Sequence, residues 1–180
     1  MKERLIFLVA LTLSTVCAAQ VLNPAAETRH SRRVTLTYTH TFDDFDADHR
    51  YDFNGGKVEF EQFVLGRVSL FADFGGAVNS NYDAHYLTYR GGARYHIGAI
   101  HKIHPFAGAA VGGANFSGLI GNPLVQTDYD GVTWAIQGGA DMPVKNRWGI
   151  RVKYEYQSVP FSPSGRDYWH NVEGGVSYRW

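Results

Sequence analysis

Apolar and polar residues alternate at period two in seven separate runs along this chain, and an eighth run is rich in glycine and alanine. Val34, Leu36, Tyr38 and Phe42 alternate with Thr35, Thr37, Thr39 and Thr41; Val58 and Phe60 with Lys57, Glu59 and Glu61. Next, Val68, Leu70, Ala72 and Phe74 oppose Ser69, Phe71 and Asp73, and Leu87, Tyr89, Ala93, Tyr95 and Ile97 oppose Thr88, Arg90, Arg94 and His96. The fifth run, Pro105 to Phe116, is mostly Gly and Ala, and its parity cannot be read. Val132, Trp134, Ile136, Ala140 and Met142 then face away from Thr133, Gln137 and Asp141. Trp148, Ile150, Val152, Tyr154 and Tyr156 alternate with Arg151, Lys153, Glu155 and Gln157. In the last run Val172, Val176, Tyr178 and Trp180 oppose Glu173, Ser177 and Arg179. Side chains two residues apart share one face of a strand, so each alternating run predicts a strand with one apolar face.

The connections alternate in length. Short ones fall near residues 65, 100 and 145, and long ones near 43–54, 80–86, 117–130 and 158–167. An even number of strands with all the tight turns at one end predicts an up-and-down antiparallel β-barrel. The charges decide which way it is turned. An eight-stranded barrel has an interior just wide enough for its own side chains, and the bulky apolar face would overfill it. Turned outward, that face meets lipid, whereas an Arg or Lys at mid-bilayer would cost about 2–4 kcal/mol. The polar faces then deliver Lys57, Glu59, Glu61, Asp73, Arg90, Arg94, Asp141, Arg151, Lys153, Glu155, Glu173 and Arg179 to the lumen. Six basic and six acidic groups can neutralise one another as ion pairs in that narrow space. Aromatic side chains gather near the run ends: Trp148, Tyr178 and Trp180 by the turns, and Tyr38, Phe42, Tyr86, Tyr129, Tyr156, Tyr168 and Trp169 by the loops. Their positions predict interfacial girdles.

The end of the chain carries the most specific signal. Glu173, Gly175, Tyr178 and Trp180 follow a polar-x-Gly-x-x-aromatic-x-aromatic spacing, which resembles the C-terminal assembly signal of bacterial outer-membrane β-barrels. With this stretch, the chain resembles the outer-membrane β-barrel protein family, in particular the small eight-stranded OmpA-transmembrane or OmpX-like type. The resemblance implies an all-β, eight-stranded transmembrane barrel over residues 33–180 in the outer membrane of a Gram-negative-type bacterium. It implies contact with outer-membrane lipid, lipopolysaccharide and the barrel-assembly machinery.

Composition agrees with a β-rich chain: 20 Gly and 22 Phe plus Tyr among 180 residues, with one Cys. Seventeen basic and seventeen acidic residues give no net field to attract nucleic acid. Residues 1–19 read as a signal peptide: Lys2 and Arg4, the apolar run Leu5 to Val16, then Val16-Cys17-Ala18-Ala19. The apolar run is too short to span a bilayer as a helix. Lipid attachment at Cys17 is an alternative, although the branched Val16 stands where a small residue is expected. Cleavage after Ala18 or Ala19 leaves no cysteine, which excludes disulfides and thiolate chemistry. Residues 20–32, with Pro24 and no periodicity, read as a flexible periplasmic lead-in.

Candidate chemistry is sparse. Asp44-x-Asp46-x-Asp48 opens like a calcium loop, but His49 and Gly55 stand where Gly and Glu are required. It reads as a solvated acidic loop or a loose divalent-cation contact. His96, His101 and His104 surround a turn, either as polar turn residues or as metal ligands. Ser158, His170 and His40 share no spacing that specifies a catalytic triad. No catalytic, cofactor-binding or metal residue is expected, and no cofactor. The expectation is a monomeric, non-enzymatic barrel with a structural, adhesive or surface-recognition role and a charge-plugged lumen. The alternatives are a narrow channel for small or hydrophobic solutes and a lipid-modifying enzyme.

Overall fold

The computed structural model describes residues 31–43, 52–79, 83–120, 125–160 and 166–180. The expected signal peptide, most of the expected lead-in and the Asp44-x-Asp46-x-Asp48 stretch lie outside these. The described residues form β1 (Arg32–Asp43), β2 (Asp52–Leu65), β3 (Val68–Asn79), β4 (Ala84–His96), β5 (His104–Ile120), β6 (Val125–Lys145), β7 (Trp148–Pro160) and β8 (Arg166–Arg179). Each strand pairs antiparallel with its sequence neighbours, and β1 pairs with β8 from Arg33↔Arg179 to Asp43↔Trp169. The barrel is closed, so no strand is left as a side edge.

The period-two faces resolve cleanly into inside and outside. Thr35, Thr37, Thr39 and Thr41 of β1 are buried, whereas Leu36 is 61% exposed. On β7, Arg151, Lys153 and Glu155 are buried and Val152 is 57% exposed. This apolar outer face makes sense only against lipid, since in water it would be a continuous exposed hydrophobic surface.

The three tight connections stand at one end, here the turn end, with the start of β1 and the finish of β8. Gly66 (φ 41°) and Asn146 (φ 53°) take left-handed conformations in two of the turns, which their residue types tolerate. Between them, an isolated bridge joins Ile100 and Ile103. The opposite, loop end departs from the sequence reading. The region 117–130, expected as a loop, is mostly strand: β5 continues to Ile120 and β6 starts at Val125, with pairing carried out to Ile120↔Val125. Ladder hydrogen bonds between the two strands outweigh the weak strand propensity of the Gly- and Asp-containing sequence there. Likewise β2 begins at Asp52, inside the connection expected at 43–54, and includes Asn54-Gly55-Gly56.

A closed ladder of this kind resists detergent until heated. Boiled and unboiled samples should therefore migrate differently on a detergent gel, and equal mobility would contradict closure.

Candidate functional site

The lumen holds most of the ionisable side chains of the barrel wall. Among the described residues its ion-paired network contains six cations, Arg33, Lys57, Arg90, Arg94, Arg151 and Lys153, and six carboxylates, Glu59, Glu61, Asp73, Asp141, Glu155 and Glu173. All twelve are buried. Each cation lies against at least one carboxylate from another strand, which satisfies charges that an interior of low dielectric would otherwise penalise heavily.

The network has two tiers. Nearer the turn end, Asp141 accepts from Arg33 and, at 2.7 Å, from Arg151 Nε. Arg151 Nη2 donates to Glu61 at 2.7 Å, and its Nη1 donates to Glu59. Arg94 grips Glu59 with two bonds of 2.5 Å and donates to Gln137 at 2.8 Å. Its guanidinium lies 3.9 Å from the centroid of the Phe71 ring, a cation–π contact inside the barrel. Nearer the loop end, Arg90 forks between Asp73 (3.0 and 2.9 Å) and Glu155 (2.8 and 3.0 Å). Lys57 donates to Glu173 at 2.5 Å and to Glu155 at 3.2 Å. Lys153 Nζ couples the tiers, at 3.0 Å from Glu173, 3.6 Å from Glu155 and 3.7 Å from Glu59.

Small residues make space for the long cations. Across one neighbouring strand Lys57 faces Gly75, Arg90 faces Gly112, Arg94 faces Gly108, Lys153 faces Gly139 and Arg151 faces Gly175. A Cβ at Gly75 would stand 2.7 Å from Lys57 Cγ; at Gly108, 2.7 Å from Arg94 Cγ; at Gly112, 2.8 Å from Arg90 Cγ. These approaches explain the Gly/Ala composition of β5 and settle its parity. Phe106, Ala110, Ala114 and Phe116 point inward, and Val111 outward.

Above the network, at the loop end, four inward aromatic rings close the lumen. Trp169 stacks on Phe53 at 5.2 Å and meets Tyr86 edge-on at 5.0 Å, and Phe116 packs edge-on against both Phe53 (6.2 Å) and Trp169 (6.1 Å). Tyr86 and Thr41 share a hydroxyl hydrogen bond of 2.6 Å, and Tyr129 packs against the group.

The expected site residues fall as follows. Eleven of the twelve charges expected in the lumen are those of the network. Arg179 is the correction: although it has the parity of the inner face, it sits at the open rim and is exposed, outside the ion pairs formed by the described residues. Arg33, not singled out by the sequence, takes its place. The alternation carried the signal, because Arg33 shares the face of Thr35 and Thr37. Tyr86, Tyr129 and Trp169 are a second correction, since they belong to the cap and not to an outer girdle. They lie on the inner faces with Thr88, Thr133 and Asn171, and parity overrides proximity to the membrane interface.

The assembly-signal residues divide between the faces of β8. Glu173 is buried, Gly175 packs so closely on Thr37 that a Cβ would stand 2.6 Å from its methyl group, and Tyr178 and Trp180 point outward. His96 turns into the lumen beside Ser69 (3.0 Å) and Glu61 (3.1 Å), while His101 is exposed on its turn. Among the described residues no group of three His, Cys, Asp or Glu could hold a metal ion. His40 and His170 lie on the outer face, hydrogen-bonded to Asn54 (3.0 Å) and to the Tyr154 hydroxyl respectively, and Ser158 is buried on β7.

A family model for the outer membrane protein β-barrel domain matches residues 8–179. Among solved structures, Neisserial surface protein A superposes with a TM-score of 0.66 at 10% identity, covering 83% of this chain and 96% of that one. The N-terminal β-barrel domain of Pseudomonas aeruginosa OprF gives 0.56 at 15% identity, covering 82% and 97%. Ail, the attachment invasion locus protein of Yersinia pestis, gives 0.56 at 16% identity, covering 84% and 99%. At these identities the likeness is one of fold. No curated protein matches the chain.

Two contrasts test this geometry by urea unfolding from lipid vesicles. Arg151→Ala takes from Glu59, Glu61 and Asp141 a cation they share and leaves the buried network one positive charge short, which should cost about 3–5 kcal/mol, whereas Arg179→Ala should stay within about 0.5 kcal/mol. Gly112→Val, whose Cβ would stand 2.1 Å from the Tyr89 carbonyl and 2.8 Å from Arg90 Cγ, should cost about 1–3 kcal/mol or more. Gly174→Val, with nothing within 4 Å of its Cβ position, should be neutral or stabilising.

Proposed function

Because the chain belongs to the outer membrane protein β-barrel domain family, and is thus an outer-membrane protein, we propose that it is a closed, non-enzymatic barrel with a structural, adhesive or surface-recognition role exercised at its loop end. One observation carries this reading. Six cations and six carboxylates interlock across the lumen beneath a stacked aromatic cap. A conducting path would require those pairs to part and their charges to be resolvated, at several kcal/mol per ion. What the barrel offers to other molecules is therefore its outer surfaces.

The names of two similar structures, a surface protein and an attachment protein, fit this role. The protein acts as a monomer, because the closed ladder presents no edge for strand addition. During assembly the edge of β8 that later pairs with β1 is free. The barrel-assembly machinery reads Glu173, Gly175, Tyr178 and Trp180 there, and lipid and lipopolysaccharide surround the finished wall.

Planar-bilayer recording tests the closed lumen. The wild-type protein should show no steady conductance, whereas Trp169→Ala combined with Arg90→Ala should admit ions. Steady stepwise conductance from the wild type would instead favour a narrow solute channel.

A further inference from the structure

The two ends of the barrel carry opposite charge. Among the described residues at the loop end Asp52, Asp83, Asp128 and Asp130 are exposed; in sequence, the connection between β1 and β2 adds Asp44, Asp46 and Asp48 against Arg50, and the strand ends add Asp43 and Arg166. At the turn end the balance reverses. Arg32, Arg67, Lys102, Lys145, Arg147 and Arg179 are all exposed, and none of the described residues of the turns or flanking strand ends carries an Asp or Glu side chain on the surface.

These cations form part of the rim itself. The backbone N–H groups of Arg32 and Trp180 donate to each other's carbonyls at 3.2 and 3.0 Å, and Arg179 N donates to Arg147 O at 2.8 Å. Arg179 on β8 and Arg32 on β1 are thereby held beside Arg147, which stands in the turn before β7. On the other side of the rim, Arg67 O accepts from His96 N at 2.7 Å. Apolar side chains interleave with the charges on the outer wall: Leu65, Ile100, Ile103, Val144, Trp148 and Trp180 are each roughly half exposed or more. Arg147 Nη1 also reaches the hydroxyl of the outward Tyr178 at 3.5 Å.

A soluble polyanion would need the cations but not this apolar collar. A lipid headgroup needs both, because its phosphate lies at the level of the cations while its acyl chains lie along the collar. Tight turns mark the periplasmic side of a membrane barrel, so the surface in question meets the inner leaflet. We infer that the turn-end rim is a binding surface for anionic phospholipid headgroups, with Arg67, Lys102, Lys145, Arg147 and Arg32 as an annular set of phosphate contacts. The acidic loop end has no such attraction, so the preference also favours the orientation with turns inward.

The test uses the protein refolded into phosphatidylcholine vesicles with a trace of spin-labelled phosphatidylglycerol or spin-labelled phosphatidylcholine. Electron spin resonance then reads the lipid fraction immobilised at the protein. Phosphatidylglycerol should be held preferentially, by about twofold or more, and the preference should fall as salt is added because the cations are exposed. The R67Q/K102Q/K145Q/R147Q variant should lose the preference while D128N/D130N keeps it. Equal immobilisation of the two lipids by the wild type, or full preference in the quadruple variant, overturns the inference. Should that variant fail to fold, the wild-type salt titration decides, and a preference indifferent to salt refutes the headgroup contacts. Tight binding of soluble polyphosphate without lipid discrimination would instead assign the rim to a soluble polyanion.

Discussion

Neutrality inside the lumen is the constraint on which the rest of this barrel depends. Lipid forces the apolar face of every strand outward, so the polar faces must share a narrow interior in which an unpaired charge costs several kcal/mol. The solution is a continuous network, and no pair in it stands alone: Glu59, Glu61 and Glu155 each serve more than one cation, and Lys153 joins the two tiers. A slip of one residue in any strand would put its apolar set in the lumen and its charges in lipid. The network and the strand register therefore enforce each other.

The same constraint explains where the glycines fall. A lysine or arginine stem that crosses the lumen needs room beside its own strand, and a glycine opposite supplies it at Gly75, Gly108 and Gly112, while Gly139 leaves room for the Phe106 ring. β5 is therefore poor in large residues because β4 beside it carries Arg90 and Arg94. Strand β5 then regains bulk at Phe106 and Phe116. Phe106 lies under Arg94 and Arg151, 5.0 and 4.8 Å from their guanidinium carbons, and Phe116 joins the cap.

The cap separates two environments. Below it, charge is buried and ion-paired; at the loop end the described Asp52, Asp83, Asp128 and Asp130 are exposed. At the turn end Phe63 and Phe106 flank the His96 ring at 4.6 and 5.9 Å. There the inner face opens through Arg179 onto a basic rim, so the barrel is polar along its axis as well as across its wall. An element that must stay on one side of a membrane gains from such a difference between its ends.

Much of this was legible in the sequence because period-two alternation is local. Each of β1, β4 and β7 declares its own two faces, and the equal counts of lumen-facing acids and bases follow from those faces alone. The inward direction of Tyr86 and Trp169 is legible too, because they share parity with Thr88 and Asn171. Tertiary structure alone decided which acid meets which base, since Arg33 and Asp141 are 108 residues apart and Lys57 and Glu173 are 116 apart. It also decided the parity of β5, where Gly and Ala show no contrast between faces, and the burial of Arg33 in place of Arg179. Alternation says which way a side chain points, but its height in the barrel depends on the stagger between strands. That height determines whether a charge finds a partner, a ring finds the cap, or an arginine emerges at the rim.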